Sequence, residues 1–387
     1  MRVCWASGTS RRSRHCFGPA SGWVRSRCGC CSPRPQSRWA PRPPRAASGA
    51  GCGCWRWTPP AGTSPTARPT RPPSAAPATP RGHDKSCFPQ VRMACLIEVG
   101  THLVLDAEPA GCRTGEVTLV GHLPRSCGRG QLVLADREFL GVPLWRAFTA
   151  SGADLPWRVP ANRILPVDRQ VRDGSWLSRI HAQTDRARTA PVIVRVVAHQ
   201  LNGTGREGED YRLVTSLLDA RRCPARQLAA LYQERWEAEA VFAELKTHQR
   251  GARIVLSSKT PDGVLQQIWA HLLVHHALHE LMVRTAATRG LDADRISFTE
   301  ALRSTRRSVT VTPGSFPPDL LVRTLVVLQH DLLERLLPHR RLRSQPRVVK
   351  RKMSNYRLKR AEHHTWPQPT RTGTRAVRIK RPQPANA

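Results

Sequence analysis

The stretch Tyr232–Lys246, which reads YQERWEAEAVFAELK, decides the interpretation of the whole chain. On a helix that turns about 100° per residue, four of its polar residues fall within a wedge of about 60°: Tyr232, Arg235, Glu239 and Lys246. An apolar stripe lies beside them, formed by Leu228, Leu231, Ala238, Phe242 and Leu245. A carboxylate flanked by two cations and a phenol suits metal-dependent phosphodiester chemistry. The spacing alone is equally consistent with a solvated helix face held by salt bridges.

A second acidic residue follows a predicted strand. The apolar β-run 131–135 ends at Asp136, inside the block LVLADREF (132–139). An aspartate at the exit of a buried strand is well placed to present a carboxylate to a metal ion. The alternative is a turn aspartate that caps the helix following it.

These blocks resemble a known family. The pattern Y-x2-R-x3-E-x6-K is the signature of DDE transposases of bacterial insertion sequences, in the insertion-sequence-4 family, and this chain matches its spacing in full. Further blocks of the chain are similar to the same family: FPQVR (88–92), EVGTH (98–102), LVLADREF (132–139) and SKTPDGV (258–264). The similarity extends over roughly residues 87 to 360.

The resemblance implies an α/β fold with an RNase H-like core, a mixed sheet flanked by helices and interrupted by a β-rich insertion. It implies that Asp136 and Glu239 are catalytic and bind two Mg²⁺ or Mn²⁺ ions. Tyr232, Arg235 and Lys246 would contact DNA phosphates. The implied partner is double-stranded DNA, as terminal inverted repeats and target DNA, bound by a homodimer. The implied location is the bacterial cytoplasm, in association with the nucleoid.

The charge of the chain favours the same partner. A net charge of +34 and a pI near 11.4 indicate a polyanionic ligand, most simply nucleic acid. No apolar run reaches the length that a membrane span requires, and no secretory segment follows the start. A general basic nucleic-acid binder without catalysis remains an alternative on composition.

The first part of the chain has a different composition. Asp84 is the only acidic residue before Glu98, and no leucine or isoleucine precedes Leu96. Such a segment buries too little apolar surface to offset the entropy of ordering it. We therefore predict that about 85 N-terminal residues are disordered.

The genetic code explains this composition. Suppose that the reading frame is shifted so that each new codon joins the third base of one codon to the first two bases of the next. The codons of Trp57 (TGG) and Thr58 (ACN) then give GAC, an aspartate codon. The shifted frame over residues 48–75 can read WRGLRLLAVDATSWDVPDSPANAAAFG, which resembles the family's first catalytic strand. We infer that this segment is out of frame and that the first catalytic aspartate is lost. The chain is then predicted to be inactive, either as a non-catalytic DNA-binding inhibitor or as an inert pseudogene product.

Five segments follow from these patterns. They are an out-of-frame, basic and Pro-rich segment (1–86), the first part of the core (87–150), a β-rich insertion (151–223), the signature helix with the C-terminal helices (224–339), and a basic DNA-contacting tail (340–387). A long helix is predicted at 263–288, where four histidines share neighbouring turns: His271, His275, His276 and His279. Packing or capping is the commoner role of such histidines, so no metal site is predicted there.

Overall fold

The protein is described here by a computed structural model covering residues 48–56, 90–160, 162–201, 210–251, 255–311, 317–338, 348–349, 357–358 and 373–382. The predictions for most of the segment 1–86, with Trp57, Thr58 and Asp84, lie outside the described residues. So do those for most of the basic tail.

A four-stranded mixed sheet forms the centre of the fold. Its strands are β1 (Ser48–Arg56), β2 (Gln90–Glu98), β3 (Val104–Gly111) and β4 (Val133–Leu134). Their order is β3-β2-β1-β4, with β1 antiparallel to β2 and parallel to β4. Strands β2 and β3 run antiparallel on either side of the turn that contains Gly100.

Strand β1 differs from the prediction that the N-terminal segment is disordered. Its nine residues, SGAGCGCWR, pair along their whole length with β2. Backbone N–H and C=O groups make these ladder bonds, and they need no apolar side chain. A strand here covers the edges of β2 and β4, which would otherwise present unpaired backbone groups.

Eight α-helices lie in the described part of the chain. They are α1 (Glu116–Val120), α2 (Val142–Ala150), α3 (Ala225–Tyr232), α4 (Glu237–Ala243), α5 (Pro261–Thr288), α6 (Phe298–Val311), α7 (Pro318–Glu334) and α8 (Gly373–Ala376). None of the helices in the described part of the chain is long and apolar enough to cross a membrane.

Strand β2 shows how the layers form. Successive side chains of a strand point to opposite faces of the sheet. Ala94 and Leu96 pack into a cluster with α1 and α2, whereas Met93, Cys95 and Ile97 pack against α4 and α5. The sheet is thus buried on both faces, and the mixed α/β class predicted from the sequence is confirmed.

The β-rich insertion forms a second sheet. Its strands are β5 (Pro156–Arg158), β6 (Arg169–Gln170), β7 (Trp176–Ile180), β8 (Val192–Leu201) and β9 (Tyr211–Thr215), in the order β5-β9-β8-β7-β6. Single parallel bridges, Leu132 with Asp154 and Ala135 with Trp157, join this sheet to the end of β4. The insertion is therefore connected to the core by backbone hydrogen bonds as well as by the chain itself.

The end of the basic tail also differs from the prediction. Val377–Lys380 forms a strand that pairs antiparallel with β8, in register Val377 with Leu201. Val377 is buried, and the Lys380 ammonium lies 2.8 Å from an Asp210 oxygen. The period-2 pattern VRIK buries one face of this short strand, so these residues belong to the sheet and not to a solvated tail.

A buried arginine connects the insertion to the helix that follows it. The guanidinium of Arg195 donates to Ser175 Oγ at 2.8 Å, to the Cys223 carbonyl at 2.7 Å and to Asp173 Oδ2 at 2.5 Å. The same Asp173 oxygen accepts the backbone N–H of Ala225 at 2.8 Å. Ala225 is the first residue of α3, so this carboxylate caps the helix that carries the Tyr232–Lys246 signature.

Candidate active site

Asp136 lies where the sequence predicts, directly beyond the exit of β4. Its side chain accepts the Arg137 backbone N–H at 2.8 Å and caps a short 3₁₀ helix, Arg137–Phe139. The capping alternative is therefore present in the structure. Only Oδ1 makes that hydrogen bond, and Oδ2 faces Arg235 at 3.9 Å. The Asp136 carboxylate thus contacts both its neighbour in the sequence, Arg137, and an arginine of the signature helix, Arg235.

The helix that carries the signature runs over residues 225–249 but is not uniform. Helix α3 passes into a 3₁₀ turn at Gln233–Trp236, then into α4, and then into a π-helical turn at Glu244–Gln249. Departures of this kind from α geometry are frequent at functional sites, and they change the angles calculated for an ideal helix.

Arg235 links the two predicted catalytic carboxylates. Its Nη2 atom lies 3.9 Å from Asp136 Oδ2 and 3.8 Å from Glu239 Oε1. The Arg235 side chain is 9% exposed, whereas those of Asp136 and Glu239 are 25% and 57% exposed. A buried cation therefore holds two acids, one from the end of a core strand and one from the signature helix, on the same solvent-facing edge.

Tyr232 faces the protein interior. Its hydroxyl donates to the Ala135 carbonyl at 3.0 Å, and burial raises the pKa of this phenol above its usual range. Lys246 is half-buried on the π-helical turn, where its ammonium stands 5.2 Å from the centre of the Phe242 ring. The structure thus brings Tyr232, Arg235 and Glu239 to the end of β4.

The Tyr232 hydrogen bond gives a first testable prediction. We expect Tyr232→Phe to lower the free energy of unfolding by about 1 kcal/mol, because it leaves the Ala135 carbonyl without its donor. Tyr232→Ala, which also removes the buried ring, is expected to cost roughly 3–5 kcal/mol. Urea unfolding of the three proteins measures both values. Equal losses for the two variants would contradict a role for the hydroxyl.

Strand β1 supplies no third carboxylate to this edge. Strand β1 lies beside β4 but contains no acidic residue in SGAGCGCWR. Asp84, the acid nearest to β1 in the sequence, lies outside the described residues. Glu98 accepts a hydrogen bond from Thr101 at 2.5 Å, and Asp106 pairs with Arg125 at 2.8 Å. Neither therefore replaces the carboxylate that the sequence analysis predicts to be lost.

A buried polar cluster was not predicted from the sequence. His102 Nδ1 lies 3.2 Å from Glu244 Oε1, and His102 Nε2 lies 3.1 Å from Glu237 Oε2. The Nε2 atoms of His275 and His279 lie 3.1 Å and 3.0 Å from Glu244 Oε2. All five side chains are buried. The four-residue spacing of His275 and His279 was the available signal, but their partners come from other parts of the chain.

Two sequence comparisons with known proteins agree with this description. A profile of the family described as "Transposase DDE domain" matches residues 63–276, more than half of the 387-residue chain. The match begins upstream of the boundary predicted at residue 87. Over 288 residues the chain is 28% identical to the Escherichia coli (strain K12) protein named transposase InsG for insertion sequence element IS4. That similarity covers 73% of this chain and 64% of the relative, just under two thirds of its length.

Among solved structures, the cryo-EM structure of the piggyBac transposase synaptic complex with hairpin DNA is a distant neighbour. It covers 73% of this chain and 57% of that chain, with 10% identity and a TM-score of 0.39, which is too low to support a fold argument. The family therefore rests on the sequence matches and on the signature residues. The chain belongs to the DDE transposases of the insertion-sequence-4 type.

Proposed function

We propose that this chain is a form of an insertion-sequence transposase, an enzyme that cleaves and joins DNA at transposon ends. Asp136 and Glu239 are then two of its three catalytic carboxylates. The observation that carries this proposal is their shared contact with Arg235, at 3.9 Å and 3.8 Å. Two acids that are 103 positions apart would not share one buried cation on a merely solvated helix face.

The donor set fits a hard divalent cation. Asp136 and Glu239 offer carboxylate oxygens, the ligands that Mg²⁺ and Mn²⁺ prefer, from a partly solvent-exposed edge. A bound pair of such ions supplies activation of the attacking water or 3′-hydroxyl and stabilisation of the leaving oxygen. The fit is incomplete, because the third acid has no counterpart in β1.

The surrounding residues would act on the DNA. Arg235 and Lys246 are proposed to neutralise phosphates of the transposon end. The planar guanidinium of Arg235 would make two parallel hydrogen bonds to a phosphate, and the ammonium of Lys246 would act as a point charge. Burial of Tyr232 favours a positioning role for its phenol, which fixes the signature helix against the residue before Asp136. The net charge of +34 supports binding of double-stranded DNA, as inverted repeats and target.

The architecture supports an RNase H-like core as part of the same proposal. A mixed sheet with helices on both faces carries one acid at the end of β4, and the β-rich insertion separates it from the acid on the signature helix. The proposed segments stay as predicted, except that the central sheet includes residues 48–56 and the second sheet includes residues 377–380. A homodimer and a nucleoid-associated, cytoplasmic location are proposed with them.

This chain is proposed to be inactive because the first acid is missing. The elements that bear Asp136 and Glu239 are otherwise complete, which favours a second candidate function, binding of transposon ends without cleavage. Such a protein would inhibit intact relatives. An inert pseudogene product would instead bind DNA with strong salt sensitivity and no preference for the ends.

A frame-restored protein tests the proposal. We expect the restored chain to nick plasmid DNA carrying the two transposon ends when Mg²⁺ is present, and not in EDTA. The chain as given is expected to produce no nicks above background, because its catalytic set lacks one acid. Gel analysis of supercoiled and relaxed plasmid measures both. An inactive restored protein, or an active chain in the given frame, would overturn the proposal.

A further inference from the structure

The buried cluster joins three segments that are far apart in the sequence. His102 comes from the turn between β2 and β3, Glu244 begins the π-helical turn, and His275 and His279 lie on one face of α5. His102 has a backbone φ of 59°, in the left-handed region that glycine usually occupies. A strained backbone that carries a histidine is more consistent with a requirement for that side chain than with a simple turn.

We propose that His102, Glu244 and His279 bind one divalent transition-metal ion of the zinc class. One nitrogen from each imidazole and a carboxylate oxygen all lie within 4.8 Å of one another, and all three residues are buried. Two imidazoles and a carboxylate suit Zn²⁺ and its neighbours, whereas Mg²⁺ and Ca²⁺ prefer sets made of oxygen atoms. This site therefore differs in chemistry from the carboxylate pair Asp136 and Glu239.

The residues around these three side chains fit the same chemistry. A metal-binding histidine commonly donates a hydrogen bond from its second ring nitrogen to a carboxylate. His102 Nε2 lies 3.1 Å from Glu237 Oε2, which fits this arrangement. The ring of His279 stacks on Phe298 at 5.2 Å, which fixes its orientation. His275 places a further nitrogen 3.1 Å from Glu244 Oε2, and its own Nδ1 is buried without a hydrogen-bond partner.

A cavity gives the site a path to solvent and room for a water ligand. Its volume is about 150 Å³, and its lining includes all three proposed ligands. Zinc sites with three protein ligands commonly keep a further position for water. The cavity supplies that space, and Glu237 is not among the residues that line it.

The competing explanation is a network of hydrogen bonds and protons alone. Burial by itself lowers the pKa of His102, but the Glu244 and Glu237 carboxylates outweigh it and raise the pKa to about 10. Burial lowers the pKa of His279 to about 4. A proton network alone binds no stoichiometric metal.

Cobalt binding to the full chain tests the proposal. We expect one equivalent of Co²⁺ to give weak visible d–d bands without thiolate charge transfer, to be displaced by Zn²⁺, and to resist excess Mg²⁺. His279→Gln should lose this equivalent. The matched control His276→Gln, which changes the neighbouring half-buried histidine on the same helix, should keep it.

A second variant, Glu237→Gln, tests the proposal even if the His279 variant fails to fold. It leaves the three ligands in place and should weaken Co²⁺ binding by about 10- to 100-fold, the usual effect of removing a carboxylate behind a ligand histidine. The proposal would be overturned by the absence of a stoichiometric Co²⁺ spectrum or by a spectrum dominated by cysteine thiolate. Equal binding by His279→Gln and His276→Gln would also overturn it.

Discussion

Replacing Glu239 by glutamine in the frame-restored protein is expected to lower the rate of Mg²⁺-dependent nicking about 10³-fold. Metal-assisted charge stabilisation contributes several kcal/mol, and roughly 4 kcal/mol corresponds to a factor of about 10³ in rate. Asp136→Asn should have a similar effect. The double variant should be little slower than either single variant, because residues that act as one unit are strongly non-additive.

An exposed acid outside this site provides the control. Glu280 pairs with Arg284 on the surface of α5, where the two side chains are 48% and 62% exposed. Glu280→Gln should leave the nicking rate unchanged while altering the net charge by the same amount as Glu239→Gln. Comparable losses in both variants would show that overall charge, and not the carboxylate pair, determines activity.

The second large effect is expected at the buried Arg195. Asp173→Asn should lower the free energy of unfolding by roughly 3–5 kcal/mol, because it leaves a fully buried guanidinium without its counter-charge. It also removes the charged cap of helix α3 at Ala225. Denaturant unfolding at pH 7 measures the loss.

The pH dependence of this loss gives a further check. Burial would raise the pKa of Asp173, but Ser175 and Arg195 hold it below its usual value of 3.8. A carboxyl with a lowered pKa stabilises the fold above its unfolded pKa, so the difference from Asp173→Asn should shrink as the pH falls below about 4. The matched control is Asp168→Asn, which breaks the exposed pair with Arg179. A loss at Asp168 as large as that at Asp173 would contradict the role of burial.

The sequence predicted the elements whose signals are local. The signature helix, the strand before Asp136 and the strands of the insertion follow from periodicity and from motif order. Contacts between distant segments were not predictable in this way. The inward direction of the Tyr232 hydroxyl depends on the position of Ala135, and the role of His102 depends on Glu244 and α5.

The same reason explains why the strands near the two ends of the chain were not predicted. Composition predicts whether a segment can form its own core, but β1 and Val377–Lys380 are strands added to sheets that other segments build. Their backbone groups find partners that no local pattern indicates. Helix α7 was not predicted separately, although it supplies Leu328 and Leu332 to the interior.

The bond from Asp173 to Ala225 has a consequence for protein engineering. The β-rich insertion is not an independent module, because its loop supplies the cap of the next helix and its central strand supplies the arginine that orients that cap. A chimaera made by exchanging insertions between relatives would need to carry Asp173, Arg195 and the first turn of α3 as one block. Cutting at the apparent boundary near residue 223 would separate partners that fold together.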